Sequence, residues 1–167
     1  MRWYWIDRFI DFESGKYAKS IKNVSLAESH LHDHFPAYPV MPHSLIIEGL
    51  AQTGGLLACQ HGGFRSKVVL AKVPRMTFHF PVLPGDTLIY TTELVHITED
   101  GSRVAATSYR GDELQAEGEI VFAHLRDDQA SADQFDDSTL LHMMRMLRLF
   151  EVGRNPDGSP MKDPDAK

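Results

Sequence analysis

The chain has 167 residues, 43% of them apolar, and its 17 lysines and arginines against 23 aspartates and glutamates give a formal net charge of −6. That is enough apolar content for one buried core, and the basic residues are too few and too scattered to hold a nucleic-acid backbone, which needs clustered Lys and Arg. The single cysteine, Cys59, excludes a disulfide-built fold and a Cys-rich zinc module, and no run nears the roughly 18 apolar residues of a membrane span.

The opening Met1-Arg2-Trp3-Tyr4-Trp5-Ile6-Asp7 meets an acid before any signal-peptide core develops, so the expected address is cytoplasmic, away from membranes. Residues 9–12 and 17–24 flank Glu13-Ser14-Gly15-Lys16 and predict a hairpin. Pro36, Pro39 and Pro42 then stiffen a connection in which regular pairing is hard to sustain. From 42 to about 60 the pattern predicts one long helix, with proline in its first turn and His61-Gly62-Gly63 at its end. Its apolar residues cover more than one face, so this helix is expected to be largely buried.

Alternation over 86–98, 102–109 and 113–125, punctuated by Asp100-Gly101 and Gly111-Asp112, predicts an antiparallel meander. Residues 126–137 hold one base and five aspartates and read as a solvated linker. Ser138 suits the start of an amphipathic helix over 138–150, on which Leu140, Leu141, Met144, Leu147 and Phe150 recur at helical spacing. Its methionine-rich stripe is expected to pack against protein. The turn-rich end, 151–167, is expected to be a flexible tail. The simplest α+β architecture is a core over residues 1–125 in which an antiparallel sheet wraps the long helix.

Three residues stand out in this pattern. Glu48 falls inside the helix that is expected to be surrounded by core, where a carboxylate is costly unless it is paired, hydrogen-bonded or protonated. Gln52 is four residues on, shares its face and is suited to orient it. His34 stands before the proline-rich loop. Taken alone, these residues also fit a satisfied buried carboxylate beside a surface histidine.

The segment His34-Phe35-Pro36-Ala37-Tyr38-Pro39-Val40-Met41-Pro42-His43, followed by Glu48-Gly49-Leu50-Ala51-Gln52, resembles the 3-hydroxyacyl-acyl-carrier-protein dehydratases (FabZ/FabA-like) of fatty acid synthesis. Their pattern is close to His-Phe-Pro-Gly-x-Pro-Val-x-Pro-Gly, then Glu or Asp-Ala-x-x-Gln. A second stretch, Phe78-His79-Phe80-Pro81-Val82-Leu83-Pro84-Gly85-Asp86-Thr87-Leu88, is similar to the family's Phe-x-x-Pro-Val-x-Pro-Gly-Asp-x-Leu. The resemblance implies a hot-dog fold and dehydration of a 3-hydroxyacyl thioester carried by acyl carrier protein. It implies His34 as the base at the α carbon, Glu48 as the acid for the leaving hydroxyl, and Gln52 in support. Backbone N–H groups near His43 and Ser44 would hold the thioester oxygen, as free donors at a helix start can. It also implies a homodimer, or an oligomer of dimers, whose sites draw residues from two protomers, with no cofactor and no metal. A hot-dog thioesterase and a non-catalytic acyl or carrier-protein binding module are the alternatives.

Four positions depart from the family pattern: Asp33, Ala37, His43 and Gly49, of which His43 in place of glycine is the most consequential. On an extended strand His30, His32 and His34 would point to one side, a geometry able to ligate zinc. The family site uses no metal, and the His-x-His-x-Asp-His spacing is missed by one residue. Cys59 is expected to be a buried inert thiol, and His61, His79, His96, His124 and His142 carry no assigned role.

Overall fold

The computed structural model describes residues 4–61, 67–125 and 137–165. Strands β1 (Arg8–Glu13) and β2 (Tyr17–Asn23) form the expected hairpin, closed by the Lys16 N–H on the Glu13 carbonyl at 3.0 Å. Gly15 turns the corner with φ +73°, which disfavours any residue with a Cβ. A short helix α1 (His30–Asp33) and the long helix α2 (His43–His61) follow. Four strands come next: β3 (Lys67–Phe78), β4 (Thr87–Ile97), β5 (Gly101–Arg110) and β6 (Glu113–Leu125). The chain ends in α3 (Asp137–Met146), α4 (Leu149–Val152) and β7 (Gly153–Arg154).

All seven strands make one sheet in the order β3-β6-β5-β4-β2-β1-β7, antiparallel except for β7 against β1. Helix α2 lies on its inner face and touches β2 through β6. Ile46, Leu50 and Leu57 on the helix are buried against a bed that includes Leu88, Tyr90, Val104, Ile120 and Phe122. The approach is close enough that a Cβ on Gly54 would stand 3.0 Å from Val104 and 3.4 Å from Phe122. Ser20 on the sheet meets the helix: Thr53 Oγ1 lies 2.7 Å from Ser20 Oγ and donates to the Gly49 carbonyl at 2.8 Å. No helix among the described residues is long and apolar enough to cross a membrane.

Four differences from the sequence reading have physical causes. Strand β3 was not anticipated: it is an edge strand, largely exposed, with Pro74 inside it, so it shows no clean alternation and its register with β6 slips twice between Leu70 and Arg75. His30 and His32 sit on α1, not on an extended strand. Leu31 and His32 donate to the Glu28 and Ser29 carbonyls at 3.0 and 3.2 Å, and Leu31 is buried, so the one-sided histidine row does not form.

The helix expected over 138–150 is broken at Arg148, where φ is +56°, because the Leu147 carbonyl turns aside to accept the Phe9 N–H of β1 at 2.8 Å. The end expected to be a flexible tail is held at several points, while residues 156–160 between them are exposed. Gly153 and Arg154 pair with Phe12 and Glu13, Met161 is buried, and Arg154 reaches Asp11 at 2.8 Å and the Tyr17 hydroxyl at 2.9 Å. Arg145 holds Asp163 and Asp165 at 2.7 Å. Of the acidic linker, residues 126–136 lie outside the described residues, and Asp137 already belongs to α3.

Candidate active site

His34 stands at the carboxyl end of α1, half-exposed, with its ring stacked on Phe35 at 4.3 Å and the intervening peptide bond cis. Its carbonyl accepts the Val40 N–H at 2.8 Å, and Phe35 and Tyr38 exchange two backbone hydrogen bonds at 3.1 and 2.9 Å. These bonds fold residues 34–40 into a small closed loop. Phe35 and Tyr38, two large apolar residues of this loop, remain 56% and 54% exposed.

The second motif anchors this loop. Gly85 takes φ +97°, and the turn around it is closed by Asp86, whose N–H donates to the Leu83 carbonyl at 3.0 Å and whose Oδ2 accepts the Leu83 N–H at 2.9 Å. The buried Val82 then presents its carbonyl to the Met41 N–H at 2.8 Å. Phe78, at the end of β3, lies flat under the His43 ring, with centroids 3.8 Å apart and planes 3° apart. The two motifs are thus one piece of architecture. The second holds the loop of the first at the start of α2.

At that start the Pro42 carbonyl accepts the N–H groups of Leu45 and Ile46, at 3.0 and 3.3 Å. The His43 and Ser44 N–H groups precede them and have no acceptor among the described residues; both residues are exposed. Two unspent donors at a helix amino terminus form a site for developing negative charge. His43 keeps its donor while adding a ring, and the ring is accommodated by stacking on Phe78.

Glu48 lies one turn further along α2 and is half-buried. Its Oε1 accepts from Gln52 Nε2 at 3.0 Å, and Gln52 Oε1 accepts the Trp5 N–H at 2.9 Å. Glu48 Oε2 has no hydrogen-bond partner among the described residues. Gly49 is explained by its surroundings: a Cβ there would fall 2.4 Å from the Tyr90 ring and 3.1 Å from the Trp5 carbonyl. The structure therefore brings Glu48 and Gln52 together, and brings His43 and Ser44 to the amino end of the same helix. His34 sits on the adjoining loop, with no hydrogen bond to Glu48 of its own chain among the described residues.

Sequence reasoning missed Trp5. Its contact is made by a backbone N–H to a side chain 47 residues away, for which side-chain pattern carries no signal. Cys59 is buried, and burial pushes its thiol up to about 11, so it is a poor nucleophile. His30 packs edge-on against Trp5 at 5.2 Å, and His32 Nε2 meets the Leu26 carbonyl at 2.9 Å. No group of three or more histidine, cysteine or acidic side chains able to hold a metal occurs among the described residues.

Comparison with known proteins bears on the family and the fold. The sequence pattern of the FabA-like domain family matches residues 3–124. The 3-hydroxyacyl-acyl-carrier-protein dehydratase FabZ of Caldicellulosiruptor saccharolyticus is 40% identical over 119 residues, covering 71% of this chain and 85% of that one. The FabZ of Thermomicrobium roseum is 41% identical over 122 residues, covering 72% and 81%. Among solved structures, the dehydratase heterocomplex ApeI:P of Xenorhabdus doucetiae superimposes with a TM-score of 0.61 at 15% identity, over 74% of this chain and 84% of that one. The protein smu.793 of Streptococcus mutans, bound to acetyl CoA, gives 0.61 at 16% identity over 75% and 94%. These structural likenesses show the fold, which is the hot-dog fold.

Proposed function

Since the chain belongs to the FabA-like family, within which it is similar to the FabZ dehydratases, we propose that it removes water from 3-hydroxyacyl groups carried on acyl carrier protein in fatty acid synthesis. The observation that carries this reading is the placing of an acid with one oriented oxygen and one open oxygen a single turn inside a helix whose first two N–H groups are unspent. His34 is the base. Its neutral imidazole takes the α proton while negative charge gathers on the thioester oxygen and is held by the His43 and Ser44 N–H groups. The α,β double bond forms as the C–O bond breaks, and protonated Glu48 gives its proton to the departing hydroxyl through the open Oε2, yielding water. A proton passed from His34 back to Glu48 resets the pair.

The working unit is a homodimer in which His34 of one protomer serves Glu48 of the partner subunit. The exposed Phe35 and Tyr38 beside His34 support this, since a second protomer would cover them. Carrier protein delivers the substrate in the cytoplasm. The test is turnover of a 3-hydroxyacyl thioester by wild type, His34→Ala and Glu48→Gln. Loss of a general acid or base is expected to lower kcat by about 10²- to 10⁴-fold. Wild-type rates in both variants would overturn the assignment.

A further inference from the structure

The Gln52 amide can orient Glu48 in only one of its two flips. With Nε2 toward the carboxylate it donates at 3.0 Å; reversed, it would set oxygen against oxygen. The Trp5 N–H favours that flip, since it donates to Gln52 Oε1 at 2.9 Å and so turns Nε2 toward Glu48. That N–H is itself held in place. Ile6 is buried in the core, the Asp7 N–H donates to the Ile21 carbonyl at 2.8 Å, and Asp7 Oδ2 accepts both the Asn23 backbone N–H and its side-chain amide, at 2.7 and 2.8 Å.

The Trp5 ring is wedged on two sides. His30 meets it edge-on at 5.2 Å and 72°, and the Lys22 ammonium, buried and paired with Glu28 at 3.0 Å, stands 5.9 Å from its centroid. The Trp5 carbonyl crosses α2 at Gly49, beside the acid, where a Cβ would come within 3.1 Å of it.

We infer that Trp5 is a positioning residue for the reaction: its wedged side chain fixes a backbone N–H that sets the Gln52 amide, and the amide presents Glu48 with Oε1 bound and Oε2 open to the substrate hydroxyl. The inference rests on the proposed role of Glu48 and deepens it. Trp5 touches no reacting atom and acts only through Gln52, so it should alter kcat and leave KM nearly unchanged. Misplacing a catalytic group typically costs about 10- to 100-fold in rate.

The experiment is a double-mutant cycle with Trp5→Ala and Gln52→Ala, read by kcat and KM and by the side-chain amide resonances of Gln52 in ¹⁵N-labelled protein. Each single variant is expected to lose about tenfold or more in kcat, and the double variant no more than the worse single, because both cut one chain of contacts. The Gln52 amide resonances are expected to move in Trp5→Ala and to return in Trp5→Phe, which restores most of the rate. Trp5→Leu carries the same test if Trp5→Ala does not fold. Multiplying losses, or Gln52 resonances unmoved without the ring, would overturn the inference. The resonances read the positioning even if wild type lacks dehydratase turnover, an outcome that would count against the proposed function alone.

Discussion

The His43 ring meets Phe78 face to face at 3.8 Å, while the backbone N–H of the same residue remains unspent. One residue thus holds together two motifs and supplies a donor at the site. His43→Gly keeps the donor, loses the stack and loosens the first turn of α2. An aromatic contact is worth about 0.5–1.5 kcal/mol and a helix glycine costs about 0.5–1 kcal/mol. A loss of about 1–2.5 kcal/mol is therefore expected in denaturant titration. An unchanged midpoint would show that the stack contributes nothing to stability.

Gly49 and Tyr90 form a second coupled pair, since a Cβ on Gly49 would stand 2.4 Å from that ring. Gly49→Ala is expected to cost about 1–3 kcal/mol through overpacking, and much less in a Tyr90→Leu background, as a thermodynamic cycle would measure. These pairs explain two departures from the family pattern that could not be interpreted from sequence, because the compensating partners, Phe78 and Tyr90, are 35 and 41 positions distant.

His30 adds a pH dependence. Burial holds its imidazole below the usual value of 6.5, outweighing the pull of Glu28, and Lys22 and His34 push it the same way as burial. The unfolded chain therefore binds the proton more readily than the folded one, so stability falls as pH drops through 6.5 and levels off below the folded value. His30→Phe is expected to flatten part of that loss in denaturation midpoints measured between about pH 7 and 5. His124, also lowered by burial, accounts for a further part.

At the scale of elements, legibility followed locality. Helix α2 and the β4-β5-β6 meander were readable because their signals, helical period, alternation and glycine turns, lie within the segments themselves. Strand β3 was hidden by its exposed edge position and Pro74, and β7 is only two residues long, paired with a strand some 140 positions earlier. The carboxyl-terminal extension covers the β1 edge, and Arg154 joins it there to Asp11 and Tyr17. Arg154→Ala is expected to open the segment after α4 to limited proteolysis while sparing the sheet.

Asp163 works in the same direction. The Arg145 guanidinium holds its carboxyl down to about 2, so the support it gives is present above its ordinary value of 3.8 and is lost as pH falls toward 2. Arg145 is exposed and Asp163 partly exposed, and the clamp should accordingly weaken in high salt.

For the molecule as a whole, the sheet-and-helix core was legible from hydrophobic pattern, and the residues proposed to carry the chemistry were legible as candidates from two motifs whose spacing resembles a known family. The support for those residues was not. It lies in backbone groups, such as the Trp5 N–H and the Val82 carbonyl, that any side chain could carry. The proposed sharing of the site between two protomers makes its own prediction. Co-expressed His34→Ala and Glu48→Gln chains should form mixed dimers with one intact site, recovering about a quarter of wild-type turnover, whereas each variant alone is inactive. No recovery would mean that both residues act within one protomer.

Dehydration is separated from its alternatives by giving the purified wild-type protein a 3-hydroxyacyl carrier-protein thioester and following the enoyl thioester and free thiol together. A dehydratase is expected to accumulate enoyl thioester to equilibrium with no thiol released. Thiol without enoyl product, or tight binding with neither, would contradict it.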